Sequence, residues 1–272
     1  SHIISGEGKM ELTNFIEPEQ IRIYLLVLVR ISLVLFMFPV FSSSVFPNTL
    51  KTGFAMVVSL LLYTVVEVDL SRFPMTVVGT GLLALAEAMI GLTLGLCLRI
   101  FFGSVQLAGQ VIGFQMGFAM MNVVDPMTGS NVSIMDQIGY WVVLILFLVM
   151  NGHHIMFISL IESFSLVPIG YFMLQEVMLT KMLSLTSELF VVALKLGAPV
   201  IAVLLLASGG FGLVAKFSPQ TNVMIVAMPL KVLVGLLFFG VSIQIIIVVT
   251  EEYISGFKEL LMTFLFWAGG GG

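Results

Sequence analysis

Residues 75–124 read MTVVGTGLLALAEAMIGLTLGLCLRIFFGSVQLAGQVIGFQMGFAMMNVV, and this stretch decides the fold. It carries two charges, Glu87 and Arg99. A helix of about 20 residues already crosses ~30 Å of hydrocarbon, so a run of about 50 is too long for one span. It is also too apolar for a loop. Outward from it lie further apolar runs at 21–41, 53–66, 138–161, 182–215 and 222–250. Six crossings are the simplest expectation. Runs 75–124 and 182–215, the second holding Pro199 and Gly209-Gly210, are expected to be bent or broken helices or tight hairpins. Irregular backbone at membrane depth is tolerated only inside protein or against a water-filled cavity.

The whole composition agrees with a membrane class. Of 272 residues, 59% are hydrophobic and 10% charged, against roughly 25% charged in an ordinary soluble domain. Mean hydropathy is +1.16. So few charges cannot coat a soluble enzyme of this size, and a net charge of −4 offers no basic face for nucleic acid. The period-2 alternation of a membrane barrel is missing, so the chain reads as all-α. The single cysteine, Cys97, sits in an apolar run and reads as a packing residue. The short linkers, 41–52, 67–74, 125–137, 162–181 and 216–221, leave no room for a soluble domain. Residues 1–9 read as a native or foreign tail with Met10 as a possible start, and 269–272 as a flexible glycine end.

Four features carry chemical information. Small residues recur at helical spacing: Ala84, Ala88, Gly91 and Gly95, then Gly109, Gly113 and Gly117. Such stripes let another backbone approach closely, either as ordinary helix packing or as a crowded interface or hinge. Charges stand inside apolar runs: Arg30, Glu87, Arg99, Lys195 and Lys231. A proton relay wants several acids along one path and only Glu87 qualifies, so structural pairing inside an assembly is the better reading. Asn151-Gly152-His153-His154 interrupts the fourth run. Adjacent histidines point about 100° apart on a helix and do not chelate one metal easily, so a helix break is expected there. Last, residues 117–124 (GFAMMNVV) are apolar yet bounded by glycine and by Asp125-Pro126. A displaceable cavity plug and simple packing filler remain equal readings on physics alone.

Together these motifs resemble the FliR family of flagellar type III export-gate proteins, related to the SctT proteins of injectisomes. The resemblance runs from Met10 to Phe266. It is carried by Glu87, Gly91 and Gly95, AGQVIGFQMGF at 108–118 and Val124-Asp125-Pro126. Asn151 to His154, Ser163-Phe164, Pro168-Ile169-Gly170, SPQTNV at 218–223 and Pro229-Leu230-Lys231 complete it. Ala227-Met228 departs from the family's more frequent Gly-Phe, and 117–124 is richer in Met than in some relatives. The resemblance implies membrane-associated helical hairpins forming one subunit of a multi-subunit gate, not a simple lipid-facing bundle. It implies one domain over 10–268, FliP-like over about 10–175 and FliQ-like over about 176–268. The implied partners are FliP-like and FliQ-like subunits, FlhB-like and FlhA-like proteins, and unfolded flagellar proteins in transit across the bacterial inner membrane. No enzyme activity, cofactor or metal is implied. Gly117, Phe118, Met120, Met121, Val123 and Val124 would form the pore plug, with Gly113 and Gly117 letting it move. A small-solute secondary transporter is the different-class alternative; it calls for paired broken helices in an internal repeat.

Overall fold

The computed structural model describes residues 18–42, 46–64, 66, 76–118, 134–218, 220 and 223–271. Among them every regular element is a helix: α1 (Pro18–Met37), α2 (Pro39–Ser42), α3 (Asn48–Tyr63), α4 (Val77–Met116), α5 (Ile134–Val149), α6 (Gly152–Leu166), α7 (Glu176–Phe217) and α8 (Val223–Ala268).

Local chemistry sets the ends. Pro18 opens α1, where its missing N–H costs nothing, and Glu19 faces the positive end of the helix dipole. Pro39 ends it. Thr76 caps α4 by accepting the Gly79 N–H at 3.1 Å. Gly117 stops α4: its φ is +94°, its N–H donates to Phe114 O, and the Phe118 N–H donates to Gly113 O. That paired pattern is a Schellman cap, and its left-handed residue favours glycine. Gly270 (φ +86°) repeats it at the end of α8, with the Gly271 N–H donating to Phe266 O.

Two sequence expectations need correction. Runs 75–124 and 182–215 are not hairpins or broken pairs. Each supplies one continuous helix, α4 of 40 residues and α7 of 42. α4 has no proline to interrupt it, and α7 carries Pro199 inside while its helix continues. At 1.5 Å per residue these helices are about 60 Å long, twice the hydrocarbon thickness. The expected six crossings also shrink. Four described helices, α1, α4, α7 and α8, are long and apolar enough to span; α5 and α6 taken together would make a fifth. α3 has 16 residues and falls short. The expected linker 162–181 narrows as well, since α6 runs to Leu166 and α7 starts at Glu176.

The break at Asn151-Gly152 stands as expected. Asn151 has φ +59°, a conformation Asn tolerates better than most residues, and a side chain on Gly152 would run into the Phe147 ring.

The chain divides into two compact units. The first holds residues 1–99, 154–182 and 258–272. Its core takes Leu26, Val27, Ile31 and Val34 from α1 at helical spacing, with Ile90, Leu94 and Leu98 from α4. Leu160 of α6 and Phe264 of α8 complete it. The second holds 100–153 and 183–257. There Phe102, Val105 and Ile112 of α4 are buried, as are Phe147 of α5, Val200 and Leu204 of α7, and Ile246 of α8.

Candidate functional site

The first unit closes around an ion pair. Arg30 on α1 and Glu87 on α4 are both fully buried, with Nε 2.6 Å from Oε2. The rest of the guanidinium is satisfied as well. Nη1 donates to Ser163 O at 2.8 Å and to Ser163 Oγ at 3.1 Å, and Nη2 donates to Val167 O at 2.9 Å. The Phe164 ring lies under the guanidinium carbon at 4.3 Å. The remaining Glu87 oxygen accepts the Gly170 N–H at 3.4 Å. Gly170, with φ +87°, is the third residue of a Pro168–Tyr171 turn closed by the Tyr171 N–H on Pro168 O. A type II turn needs a positive φ at that place, so glycine is what lets the turn offer its N–H to the carboxylate.

Glycine brings the two charged helices together. A Cβ on Gly91 would sit 2.6 Å from Arg30 O, and one on Gly95 would sit 2.7 Å from Met37 Cβ. Both therefore face α1. Gly109 plays the same part in the second unit: its Cβ would sit 2.5 Å from the Asp136 nitrogen of α5. Beside it the Gln110 amide donates to the buried Asp136 carboxylate at 3.4 Å. These three glycines serve close packing within the chain. Gly113 is buried and lends its carbonyl to the α4 cap.

The structure separates the five intramembrane charges. It joins Arg30 to Glu87. It leaves Arg99 and Lys195 exposed and Lys231 half-buried, so the expected pairing of these three inside an assembly stays a proposal. The reason is helical phase: all five stand in apolar runs, but only Arg30 and Glu87 fall on inward faces. Among the described residues Lys195 and Lys231 have no ion-pair partner. Of the plug residues, Gly117 and Phe118 are half-buried at the end of α4. Met120, Met121, Val123 and Val124 lie outside the described residues. The roles of Ser163 and Gly170 as partners of the ion pair were not read from sequence beyond their place in the family motifs, and Val167 was not singled out at all. Two opposite charges alone in apolar runs were the available signal.

Four spanning-capable helices, with helix the only regular element among the described residues, define the class as an all-α membrane protein. The family described as bacterial export proteins, family 1, matches residues 21–269. The flagellar biosynthetic protein FliR of Bacillus subtilis (strain 168) is 30% identical over 262 residues, covering 90% of this chain and 95% of that protein. FliR of Escherichia coli (strain K12) is 27% identical over 241 residues, 89% of this chain and 92% of its own. FliR of Aquifex aeolicus (strain VF5) is 27% identical over 236 residues, with coverages of 87% and 91%. The chain belongs to the bacterial export proteins of family 1 and, within them, to the FliR family.

Proposed function

We propose that this chain is a non-enzymatic subunit of the flagellar type III secretion export gate in the bacterial inner membrane. It assembles with FliP-like and FliQ-like chains into a channel for unfolded flagellar proteins, near FlhB-like and FlhA-like proteins. Residues of about 10–175 take the FliP-like part of that assembly and about 176–268 the FliQ-like part. The flagellar names of the relatives favour the flagellum over an injectisome.

The observation that carries the reading is the excess of apolar helix over bilayer. α7 and α8 have 42 and 46 residues and expose Phe190, Leu194, Leu206, Leu233 and Leu237 by about half or more of their surface. A ~30 Å hydrocarbon slab covers only about 20 residues of each. Other protein must cover the remainder, as a wound tube of subunits does.

Steric gating is the mechanism. The Schellman cap at Gly117 fixes where the chain leaves α4, and the apolar segment 118–124 follows at once. Bulky apolar side chains in a constriction exclude water and close it by dewetting. The test is ion conductance of membranes holding the whole complex. Deleting 118–124 should leave co-purification with the partner chains intact and make the membrane leak. Replacing Phe118, Met120 and Met121 with Ala should leak less. A deletion that assembles and stays as tight as wild type would place the seal in another subunit.

A further inference from the structure

The second unit contains a cation with no counterpart among the described residues. Lys195 is exposed on α7 and unpaired among the described residues. Its level can be read against α4. A Cβ on Gly103 would meet Leu189 at 3.4 Å, and one on Gly197 would lie 3.9 Å from Ile112. Lys195 is therefore level with about Gln110 of α4, on the outward side of α7. On the same helix Phe101 stacks on Tyr253 of α8 at 4.0 Å, and Met116 meets Gly235. Interpolating, Lys195 is level with about Ser242 of α8.

That level is the wrong one for lipid. α8 is free of charge from 232 to 250, a length of about 28 Å that matches a hydrocarbon slab. A bilayer centred there puts Lys195 close to its midplane. α7 is free of charge from 196 to 215, and a bilayer centred on that stretch puts Lys231 deep inside instead. The interval that both helices leave uncharged is roughly 17 Å, about half the hydrocarbon thickness. Lipid headgroups are therefore poorly placed to neutralise Lys195. Its surroundings are those of a helix contact: Phe190, Val191 and Leu194 are each more than half exposed, and Ala198 and Ala202 continue the same face.

We propose that this face of α7 is an interface for an apolar helix of another polypeptide, which brings an Asp or Glu carboxylate to Lys195. The proposal deepens the gate reading, on which it rests, by naming the chemistry of one partner contact. The apolar rim supplies the desolvated surroundings in which a charged pair gains specificity, and a like charge there would repel the partner.

The complex is purified from membranes with the wild-type chain and with Lys195→Met and Lys195→Glu. Recovery of the complex should fall about threefold for Lys195→Met and at least tenfold for Lys195→Glu. In the wild-type complex the Lys195 amine should react with a water-soluble acetylating reagent at least tenfold more slowly than that of exposed Lys216. A photoreactive side chain at Ala198 should join to a partner polypeptide. Wild-type recovery with Lys195→Glu, acetylation of Lys195 at the rate of Lys216, or labelling of phospholipid alone from Ala198 would each overturn the proposal. If the wild-type chain itself joins no export subunit, the gate reading fails first; if it assembles and Lys195→Glu assembles equally, only this contact fails.

Discussion

Arg30 and Lys195 are both cations inside apolar helices, and the chain treats them in opposite ways. Around Arg30 the first unit supplies a carboxylate, a hydroxyl, two carbonyls and an aromatic face. Around Lys195 the described residues of its own helix face, Val191, Leu194 and Ala198, are apolar or small and exposed. The glycines divide by helix face instead of by unit. Gly91 of the first unit and Gly109 of the second have backbone where a side chain would go, whereas a Cβ at Gly209, Gly210 or Gly212 of α7 would meet nothing within 4 Å among the described residues. A glycine in a helix interior costs roughly 1 kcal/mol against alanine and needs a compensating contact. Arg30, Glu87, Gly91 and Gly109 thus have internal uses, and Lys195, Gly209, Gly210 and Gly212 face outward. The difference teaches which motifs hold this chain's own fold together and which are open, under the proposed assembly, to another chain.

The largest effect should come from breaking the closed region. Arg30→Met leaves Glu87 buried and unpaired, which costs about 3–5 kcal/mol. The expected outcome is loss of the chain from the membrane fraction, measured by immunoblot with and without the partner subunits. Glu87→Gln keeps the shape and removes one charge. It should lower assembly more than gating, read by co-purification alongside the rate of export per assembled complex. Normal assembly with lost proton-dependent export would favour a relay role for Glu87 instead.

A middle-sized effect separates the glycines. Gly109→Ala sets a methyl against the Asp136 backbone and should cost about 1–3 kcal/mol, as overpacking does. A methyl at Gly209 would meet nothing within 4 Å among the described residues. In the complex Gly209→Ala should lower the thermal midpoint where a partner helix lies against it, and otherwise leave stability unchanged or raise it by up to about 1 kcal/mol. Both substitutions are read from thermal unfolding of the complex in detergent.

Much of this was legible. The helix break at Asn151-Gly152 could be read because those residues favour an uncommon backbone turn and leave room for a ring. The all-α class followed from hydropathy alone. The continuity of α4 and α7 could not be read that way, because the length rule assumes lipid around each helix. No residue in 77–116 forbids a helix twice as long as a bilayer is thick. The ion pair was half legible: Arg30 and Glu87 stood out, but a separation of 57 positions says nothing of their meeting. The exposure of Arg99 and Lys195 was hidden because hydropathy ignores which face of a helix a charge occupies. The plug residues Met120 to Val124 remain as sequence suggested them, a proposal resting on composition and family pattern.

The smallest effect is expected at Glu162–Lys258, an exposed pair at 3.2 Å whose side chains keep 38% and 49% of their surface. Such pairs contribute about 0.2–1 kcal/mol. Glu162→Gln should change neither assembly nor the thermal midpoint beyond error.

The central claim is that other chains complete the outer surface of α7 and α8. Its most direct test is to purify this chain in mild detergent, alone and co-expressed with FliP-like and FliQ-like subunits, and to weigh the products by native mass spectrometry. Alone, the chain should give aggregates or a heterogeneous mixture; together, one discrete complex containing all three subunit types. A monodisperse, well-folded monomer that takes up neither partner would contradict the account.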